Sequence, residues 1–108
     1  MKKTKKFIYL ISPNKILSTD FYKNLEKIFR TNKIFFFQLR LKKEKKQKII
    51  TIAKKIKKLT KKYNIKFIIN DDPNLAIKID ADGCHIGQKD FNIKKARKIL
   101  KNKILGVT

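Results

Sequence analysis

The sequence predicts an α/β chain with a parallel sheet. Five short apolar runs alternate with four segments of helical periodicity, and this alternation is typical of βα units with parallel strands. Polar clusters follow strands two to five, and none precedes a strand. Because the C-terminal ends of parallel strands meet along the sheet edge where ligands bind, we expect a functional site there.

The chain has 108 residues, which is enough for one small domain, assigned to residues 1–108. No apolar run is long enough to span a bilayer. The N-terminal segment MKKTKKFIYLI lacks the long apolar region and cleavage site of a signal peptide. A single cysteine cannot form an internal disulfide, which agrees with a reducing compartment. We therefore expect a cytoplasmic protein that does not bind membranes.

The formal net charge of +22 raises the question of nucleic-acid binding. Only three of the 30 basic residues are arginine, the side chain that best reads base edges and phosphates. Lys, Ile, Asn and Phe dominate, and all have AT-rich codons, so genome composition accounts for the lysines without a ligand. No helix-turn-helix, zinc or RNA-binding aromatic motif is present. Nucleic-acid binding is therefore the alternative function, although the charge should attract anionic substrates at low salt.

The first elements are two strands and a helix. Residues 6–11 predict a buried strand, and Ser18 or Thr19 can cap a helix that begins near Asp20. Apolar residues at spacings of three and four would bury one face of this helix: Phe21, Tyr22, Leu25, Ile28 and Phe29. Residues 34–41 predict a second strand that is covered on both faces where it begins.

The end of the second strand changes character. Gln38, Arg40 and Lys42 alternate with leucines, and residues two apart in a strand share a face. Three polar side chains, one of them an arginine suited to phosphate, would therefore point the same way. An edge strand whose polar residues face solvent is the alternative.

A long helix is predicted over residues 43–63. Its buried face would comprise six side chains: Ile49, Ile52, Ala53, Ile56, Leu59 and Tyr63. The lysines around it predict a solvated surface, because the exposed Trp or Phe anchors of a membrane-surface helix are missing.

Residues 66–69 predict the third strand, and Asp72 caps a short helix that begins at Pro73.

The last elements are two strands and a helix. Residues 84–86 and 104–107 predict strands four and five, and Asn92 caps the helix between them. Four side chains of this helix would face inward: Ile93, Ala96, Ile99 and Leu100.

Two carboxylates follow neighbouring strands, Asp71 after the third and Asp90 after the fourth. Other side chains at that edge offer positive charge or hydrogen bonds: Arg40, Lys42, Gln38, Asn70 and Thr108. This combination suits a phosphate or pyrophosphate bound to Mg²⁺, which takes one or two carboxylates together with waters and substrate oxygens. No phosphate-binding Gly-rich loop or dinucleotide fingerprint is present. Alternatively, Asp71 and Asp72 only cap the next helix.

The fourth strand carries the only histidine and the only cysteine. We predict that His85 is a neutral, hydrogen-bonded interior residue, with a proton shuttle as the alternative. Cys84 would point to the opposite face and is predicted to be an unreactive packing residue, because no base lies near it in sequence.

Four motifs, in order and spacing, resemble those of the thiamine-phosphate synthase family, which also includes thiazole tautomerases. They are Gln38-Leu39-Arg40-Leu41-Lys42, Ile69-Asn70-Asp71, Ala81-Asp82-Gly83-Cys84-His85-Ile86-Gly87-Gln88-Lys89-Asp90 and Leu105-Gly106-Val107-Thr108. The resemblance implies the eight-stranded (β/α) TIM barrel, of which this chain would hold about five βα units. The tautomerases look less similar, because the glutamine of the first motif and both aspartates are intact here.

The resemblance also implies an enzyme that joins a pyrimidine diphosphate to a thiazole phosphate, releasing pyrophosphate and making thiamine phosphate. Gln38, Arg40 and Lys42 would hold the pyrimidine diphosphate, and Asn70 would contact its phosphates. Asp71 and Asp90 would bind Mg²⁺. Thr108 stands where the family usually has a serine that touches the diphosphate. The implied mechanism stabilises the departing pyrophosphate, which leaves a pyrimidine-methyl cation. The thiazole nitrogen then attacks this cation, so no protein nucleophile is implied.

The resemblance covers the whole chain but only about half of a barrel, which typically needs about 200 residues or more. The favoured interpretation is a fragment of a longer synthase. A half-barrel that pairs with itself or with a complementary chain, and a repurposed binding protein, are the alternatives. An open five-stranded sheet would expose its edges, and we expect no synthase activity from the 108 residues alone.

Overall fold

The computed structural model describes residues 8–16, 20–87 and 92–108, which form a five-stranded parallel sheet with four helices. The strands are β1 Ile8–Ile11, β2 Ile34–Leu39, β3 Lys66–Asn70, β4 Gly83–Ile86 and β5 Ile104–Val107. The helices are α1 Asp20–Phe29, α2 Lys46–Lys62, α3 Pro73–Lys78 and α4 Ile93–Leu100. The strand order is β1-β2-β3-β4-β5, and every neighbouring pair is parallel. Parallel strands in sequential order, the first four each followed by a helix, are the units of a (β/α) barrel, so the predicted fold class is confirmed.

Side-chain caps fix where two helices begin. The carboxylate of Asp72 accepts a hydrogen bond from the Leu75 N–H at 3.0 Å, and the Asn92 side chain accepts one from the Lys95 N–H at 3.1 Å. Both predicted caps are thereby confirmed. The proposed caps of α1, at positions 18 and 19, lie outside the described residues.

Helix α2 begins at Lys46, three residues later than predicted. Lys43 has a φ of 61°, which a right-handed helix cannot include, so the chain turns there before the helix starts. The predicted buried face is otherwise correct at its centre: Ile52, Ala53 and Ile56 are buried. Ile50 and Thr60 are also buried, which the sequence pattern did not indicate.

Alternation along the strands gives the sheet two different faces. One face packs on the helices and carries most of the core side chains of the strands: Leu10, Phe37, Leu39, Phe67, Ile69, Cys84, Ile86 and Leu105. Strand residues of the other parity lie on what we call the second face: Tyr9, Ile11, Phe36, Gln38, Ile68, Asn70, His85 and Gly106. Every polar side chain predicted for the site within a strand is therefore on the second face.

The position of each strand in the sheet corrects two expectations. Strand β1 was predicted to be buried, yet Ile8, Tyr9 and Ile11 are 47%, 45% and 48% exposed. The reason is that β1 forms one edge of the sheet and, within the part of the chain that the structure describes, pairs only with β2. Strand β2 lies between β1 and β3, so it is not the solvent-facing edge strand considered as an alternative.

Cys84 is fully buried in the core between sheet and helices. Burial raises the pKa of the Cys84 thiol to about 12, so very little reactive thiolate forms at neutral pH. The predicted packing role of Cys84 is confirmed.

Ion pairs at the N-terminal edge of the sheet join α2 to the loops that follow α3 and α4. Asp80 accepts a hydrogen bond from Lys103 at 2.7 Å and lies 3.7 Å from Lys57. The hydrogen bond from Lys103 contributes most to lowering the pKa of Asp80, and the positive charges of Lys103 and Lys57 lower it further. The Asp82 carboxylate accepts a hydrogen bond from the Phe67 N–H at 2.7 Å. Both aspartates of this edge are thus engaged in structural contacts, Asp80 with lysines and Asp82 with the backbone of β3. None of the described helices is long and apolar enough to cross a membrane.

Candidate functional site

A cleft of about 430 Å³ lies at the C-terminal ends of the strands, on the second face. It is lined by Tyr9, Ile11, Gln38, Arg40, Asn70, Asp71, His85, Gly87 and Thr108. Each of the five strands contributes a residue or the residue directly after it. Further hollows of about 250 and 470 Å³ lie at the opposite edge, among the paired lysines and aspartates. The cleft is the place at which the sequence predicted a site.

Gln38 is a buried polar residue at the floor of the cleft, only 3% exposed. Its side-chain amide donates a hydrogen bond to the Tyr9 hydroxyl at 3.0 Å, and the Tyr9 ring stacks on Phe36 with a centroid separation of 5.2 Å. Tyr9 is not among the site residues predicted from the sequence. The signal that could have found it is alternation, because Tyr9 has the parity of the second face in β1.

Arg40 follows directly after β2 and is held by Ser12. The Ser12 hydroxyl accepts a hydrogen bond from the Arg40 N–H at 2.8 Å, and the Ser12 N–H donates to the Gln38 carbonyl at 2.9 Å. The Nε atom of Arg40 is buried and has no hydrogen-bond partner among the described residues. A buried, unpaired donor on a permanently charged group is unfavourable. Arg40 therefore brings a permanent positive charge with unused hydrogen-bonding capacity to the cleft that it lines.

Lys42 does not line the cleft and is exposed. The expectation that Gln38, Arg40 and Lys42 share one face assumed a strand over residues 34–41. Strand β2 ends at Leu39, so strand alternation does not extend to position 42.

Asp71 and Asp72 have different roles, although they are neighbours in sequence. Asp72 caps α3, whereas Asp71 adopts a left-handed backbone with φ of 62° and lines the cleft. The Asp71 N–H donates to the His85 carbonyl at 2.7 Å, and its carboxylate accepts a hydrogen bond from the Asn70 amide at 3.0 Å. The alternative that both aspartates only cap the helix is wrong for Asp71.

His85 and Thr108 meet across strands β4 and β5. The His85 Nε2 atom is hydrogen-bonded to the Thr108 hydroxyl, and the Thr108 N–H donates to the Ile86 carbonyl at 3.2 Å. His85 pairs in register with Gly106, two residues before Thr108. The predicted hydrogen-bonded environment of His85 is thus confirmed.

The oxygen atoms at the cleft are suitable ligands for a hard cation. Asp71 offers carboxylate oxygens, one of which accepts a hydrogen bond from the Asn70 amide, and Mg²⁺ prefers such oxygens, with waters and ligand oxygens completing its shell. In the three described segments, no three His, Cys, Asp or Glu side chains converge to hold a metal. The second predicted ligand, Asp90, lies outside the described residues, as do Gln88 and Lys89.

Comparison with known proteins gives a consistent result. The family model described as thiamine monophosphate synthase matches residues 8–108. A thiamine-phosphate synthase from Pelagibacter ubique is 61% identical over 107 residues, covering 99% of this chain and 52% of that protein. One from Clostridioides difficile is 41% identical over 103 residues, covering 94% of this chain and 49% of its own length. The tautomerase and nucleic-acid alternatives find no support in these matches.

A solved structure named thiamine phosphate pyrophosphorylase from Pyrococcus furiosus has the same fold. It superposes with a TM-score of 0.82 at 25% identity, over 95% of this chain and 50% of that one. The chain spans about half the length of the relatives it matches. With the family model matching nearly all of the chain, this protein belongs to the thiamine monophosphate synthase family.

Proposed function

We propose that the cleft binds a pyrimidine diphosphate together with Mg²⁺, as the part of a thiamine-phosphate synthase site that holds the electrophilic substrate. The observation that carries the proposal is Arg40, a permanently charged residue that lines the cleft and whose Nε has no hydrogen-bond partner among the described residues. A diphosphate oxygen in the cleft would form a charge-assisted hydrogen bond with the Arg40 guanidinium, which is among the stronger polar interactions in proteins. Family membership supports the same substrate class.

The other predicted residues take roles that fit their positions. Gln38 and Arg40 would hold the pyrimidine diphosphate from β2, with Lys42 reaching it from the exposed loop. Asn70 would contact the phosphates, and the Thr108 hydroxyl would donate a hydrogen bond to a diphosphate oxygen. Asp71, with Asp90, would bind the metal. Among these residues, Gln38, Arg40, Asn70, Asp71 and Thr108 line the cleft.

The chemistry proposed for this site is departure of pyrophosphate. The bond that breaks joins the methylene carbon of the pyrimidine substrate to the ester oxygen of its diphosphate. Arg40 and Lys42 would offset the negative charge that grows on the leaving group. Bound Mg²⁺ would neutralise part of the same charge. The thiazole nitrogen of the second substrate, a thiazole phosphate, would then form the new bond to carbon. No protein nucleophile takes part in this scheme.

Two further parts of the proposal concern the setting of the reaction. A cytoplasmic location is proposed, because a lone buried thiol suits a reducing compartment. A second copy, or a complementary chain that completes the barrel, would pack against the exposed apolar residues of the edge strands β1 and β5.

Substitution of Arg40 by glutamine tests the proposal. In the presence of Mg²⁺, Arg40→Gln should weaken binding of the pyrimidine diphosphate by about tenfold or more, since hydrogen bonds to charged groups contribute about 1.5–3 kcal/mol. The measurement is titration calorimetry at an ionic strength of about 0.15 M, where long-range attraction by the surface lysines is screened.

Arg30→Gln is the matched control, because it removes the same charge from an exposed arginine at the end of α1, away from the cleft. Its affinity should equal that of the unmodified chain. Equal affinities of the Arg40→Gln and Arg30→Gln chains would show that Arg40 does not bind the diphosphate.

A further inference from the structure

We infer that His85 is a positioning residue for Thr108: its Nε2–H donates to the Thr108 oxygen, so that the Thr108 hydroxyl proton points at the diphosphate. This inference rests on the proposed function and assigns a role to the one histidine of the chain. His85 acts through Thr108 and is not assigned a contact with the substrate.

Strand pairing brings the two side chains together. His85 lies opposite Gly106 in the β4–β5 ladder, and Thr108, two residues further along, continues on the same face. The Nε2 atom of His85 is hydrogen-bonded to the Thr108 hydroxyl. The backbone of Thr108 is fixed separately by its N–H, which donates to the Ile86 carbonyl at 3.2 Å. The contact therefore joins side chains whose backbones are already held in register by the β4–β5 pairing.

The glycine opposite His85 makes room for the ring. A Cβ atom at Gly106 would lie 2.8 Å from the His85 Nδ1 atom, and its next nearest neighbours would be two other atoms of the same ring. The imidazole thus lies directly over Gly106, and a side chain there would push it away from Thr108. This packing is independent of the hydrogen bond and supports the same ring position.

The chemistry of the ligand fixes the direction of the hydrogen bond. A threonine hydroxyl has one proton to donate and can accept through its oxygen, whereas the oxygens of an ionised diphosphate only accept. If Thr108 donates to the diphosphate, it must accept from His85. The neutral imidazole must then carry its proton on Nε2, because a neutral ring has only one N–H.

Two amide substitutions separate the nitrogen atoms of the ring. In His85→Gln the side-chain amide nitrogen can occupy the place of Nε2, whereas in His85→Asn it reaches only the place of Nδ1. With magnesium pyrophosphate as the probe, loss of one hydrogen bond to a charged group predicts about tenfold weaker binding for His85→Asn and for Thr108→Val. His85→Gln should remain within about threefold of the unmodified chain, since the donor is restored.

A double substitution shows whether His85 acts through Thr108. The chain with both His85→Asn and Thr108→Val should bind magnesium pyrophosphate no more weakly than Thr108→Val alone, because coupled residues give non-additive effects. Circular dichroism of each variant confirms that it folds. Additive losses, or equal affinities of His85→Gln and His85→Asn, would overturn the inference.

A spectroscopic measurement gives an independent test without any substitution. Because the chain has a single histidine, the ¹⁵N resonances of its imidazole can be assigned directly in the complex with magnesium pyrophosphate. The shifts should show the Nε2–H form, and the Nδ1–H form would overturn the inference. If the unmodified chain does not bind the probe, the proposed function fails as well. If it binds and only the His85 variants behave otherwise than expected, the proposed function stands and the inference fails.

Discussion

Replacement of Gly83 by alanine is expected to lower the free energy of unfolding by about 3 kcal/mol or more, at or above the upper end of the range for overpacked sites. A Cβ atom at Gly83 would lie 2.4 Å from the carbonyl oxygen and 2.6 Å from the Cβ of Ile104. The oxygen belongs to the backbone of the neighbouring strand, so it cannot move aside without opening the β4–β5 ladder. A loss of this size is a large fraction of the 5–15 kcal/mol that stabilises a typical domain.

The opposite result would follow if backbone entropy dominated. No described glycine has a positive φ, so alanine fits the backbone conformation of Gly83 and would otherwise stabilise by about 0.4–1 kcal/mol. Gly106→Ala is the matched control in the partner strand, because there the nearest atom belongs to the His85 side chain, which can rotate. We expect Gly106→Ala to lose much less stability. Urea denaturation followed by circular dichroism measures both variants, and a Gly83→Ala midpoint at or above that of the unmodified chain would contradict the steric account.

Replacement of Asp71 by asparagine is expected to remove the magnesium-dependent part of pyrimidine diphosphate binding. The carboxylate lines the cleft and has only the Asn70 amide as a hydrogen-bond partner among the described residues. Loss of a direct ligand should reduce metal affinity by at least about a hundredfold, since changes to outer-shell groups alone cause about 10- to 100-fold losses. Without Mg²⁺, the variant should bind the diphosphate at least as well as the unmodified chain, because a negative charge has been removed.

Asp80→Asn provides the control for Asp71→Asn. It makes the same change in charge on an exposed aspartate at the opposite edge of the sheet, where Asp80 pairs with Lys103 and Lys57. Magnesium-dependent binding should be unchanged in Asp80→Asn. Titration of each variant with the pyrimidine diphosphate, with and without Mg²⁺, measures the difference. Retention of the full magnesium effect in Asp71→Asn would mean that the metal binds elsewhere.

The fold was predictable from local sequence patterns, and the structure has the strands and helices that these patterns predict. Apolar runs of strand length alternate with helical stripes, and Asp72 and Asn92 mark helix starts that the structure confirms. The predicted edge of the sheet also gathers most of the proposed site residues, because parallel strands bring their C-terminal ends together whatever the details of packing.

The errors have a common physical cause, which is that local sequence does not reveal strand order or where regular geometry stops. Apolar composition alone made β1 look buried, but its edge position leaves it exposed. Lys42 was grouped with Gln38 by strand alternation, which ends at Leu39. The contacts of Tyr9 with Gln38 and of His85 with Thr108 join residues 29 and 23 positions apart, so they depend on the register of neighbouring strands.

The most direct test of the central claim is to map binding along the backbone by NMR. The ¹⁵N-labelled chain is titrated with the pyrimidine diphosphate and Mg²⁺ at an ionic strength of about 0.3 M, where nonspecific attraction to lysines is strongly screened. The proposed function predicts saturable shifts at the amides of Arg40, Asp71 and Thr108, with little change at Asp82 and Lys103 on the opposite edge. Shifts spread along the lysines of α2, without saturation at the cleft, would contradict it.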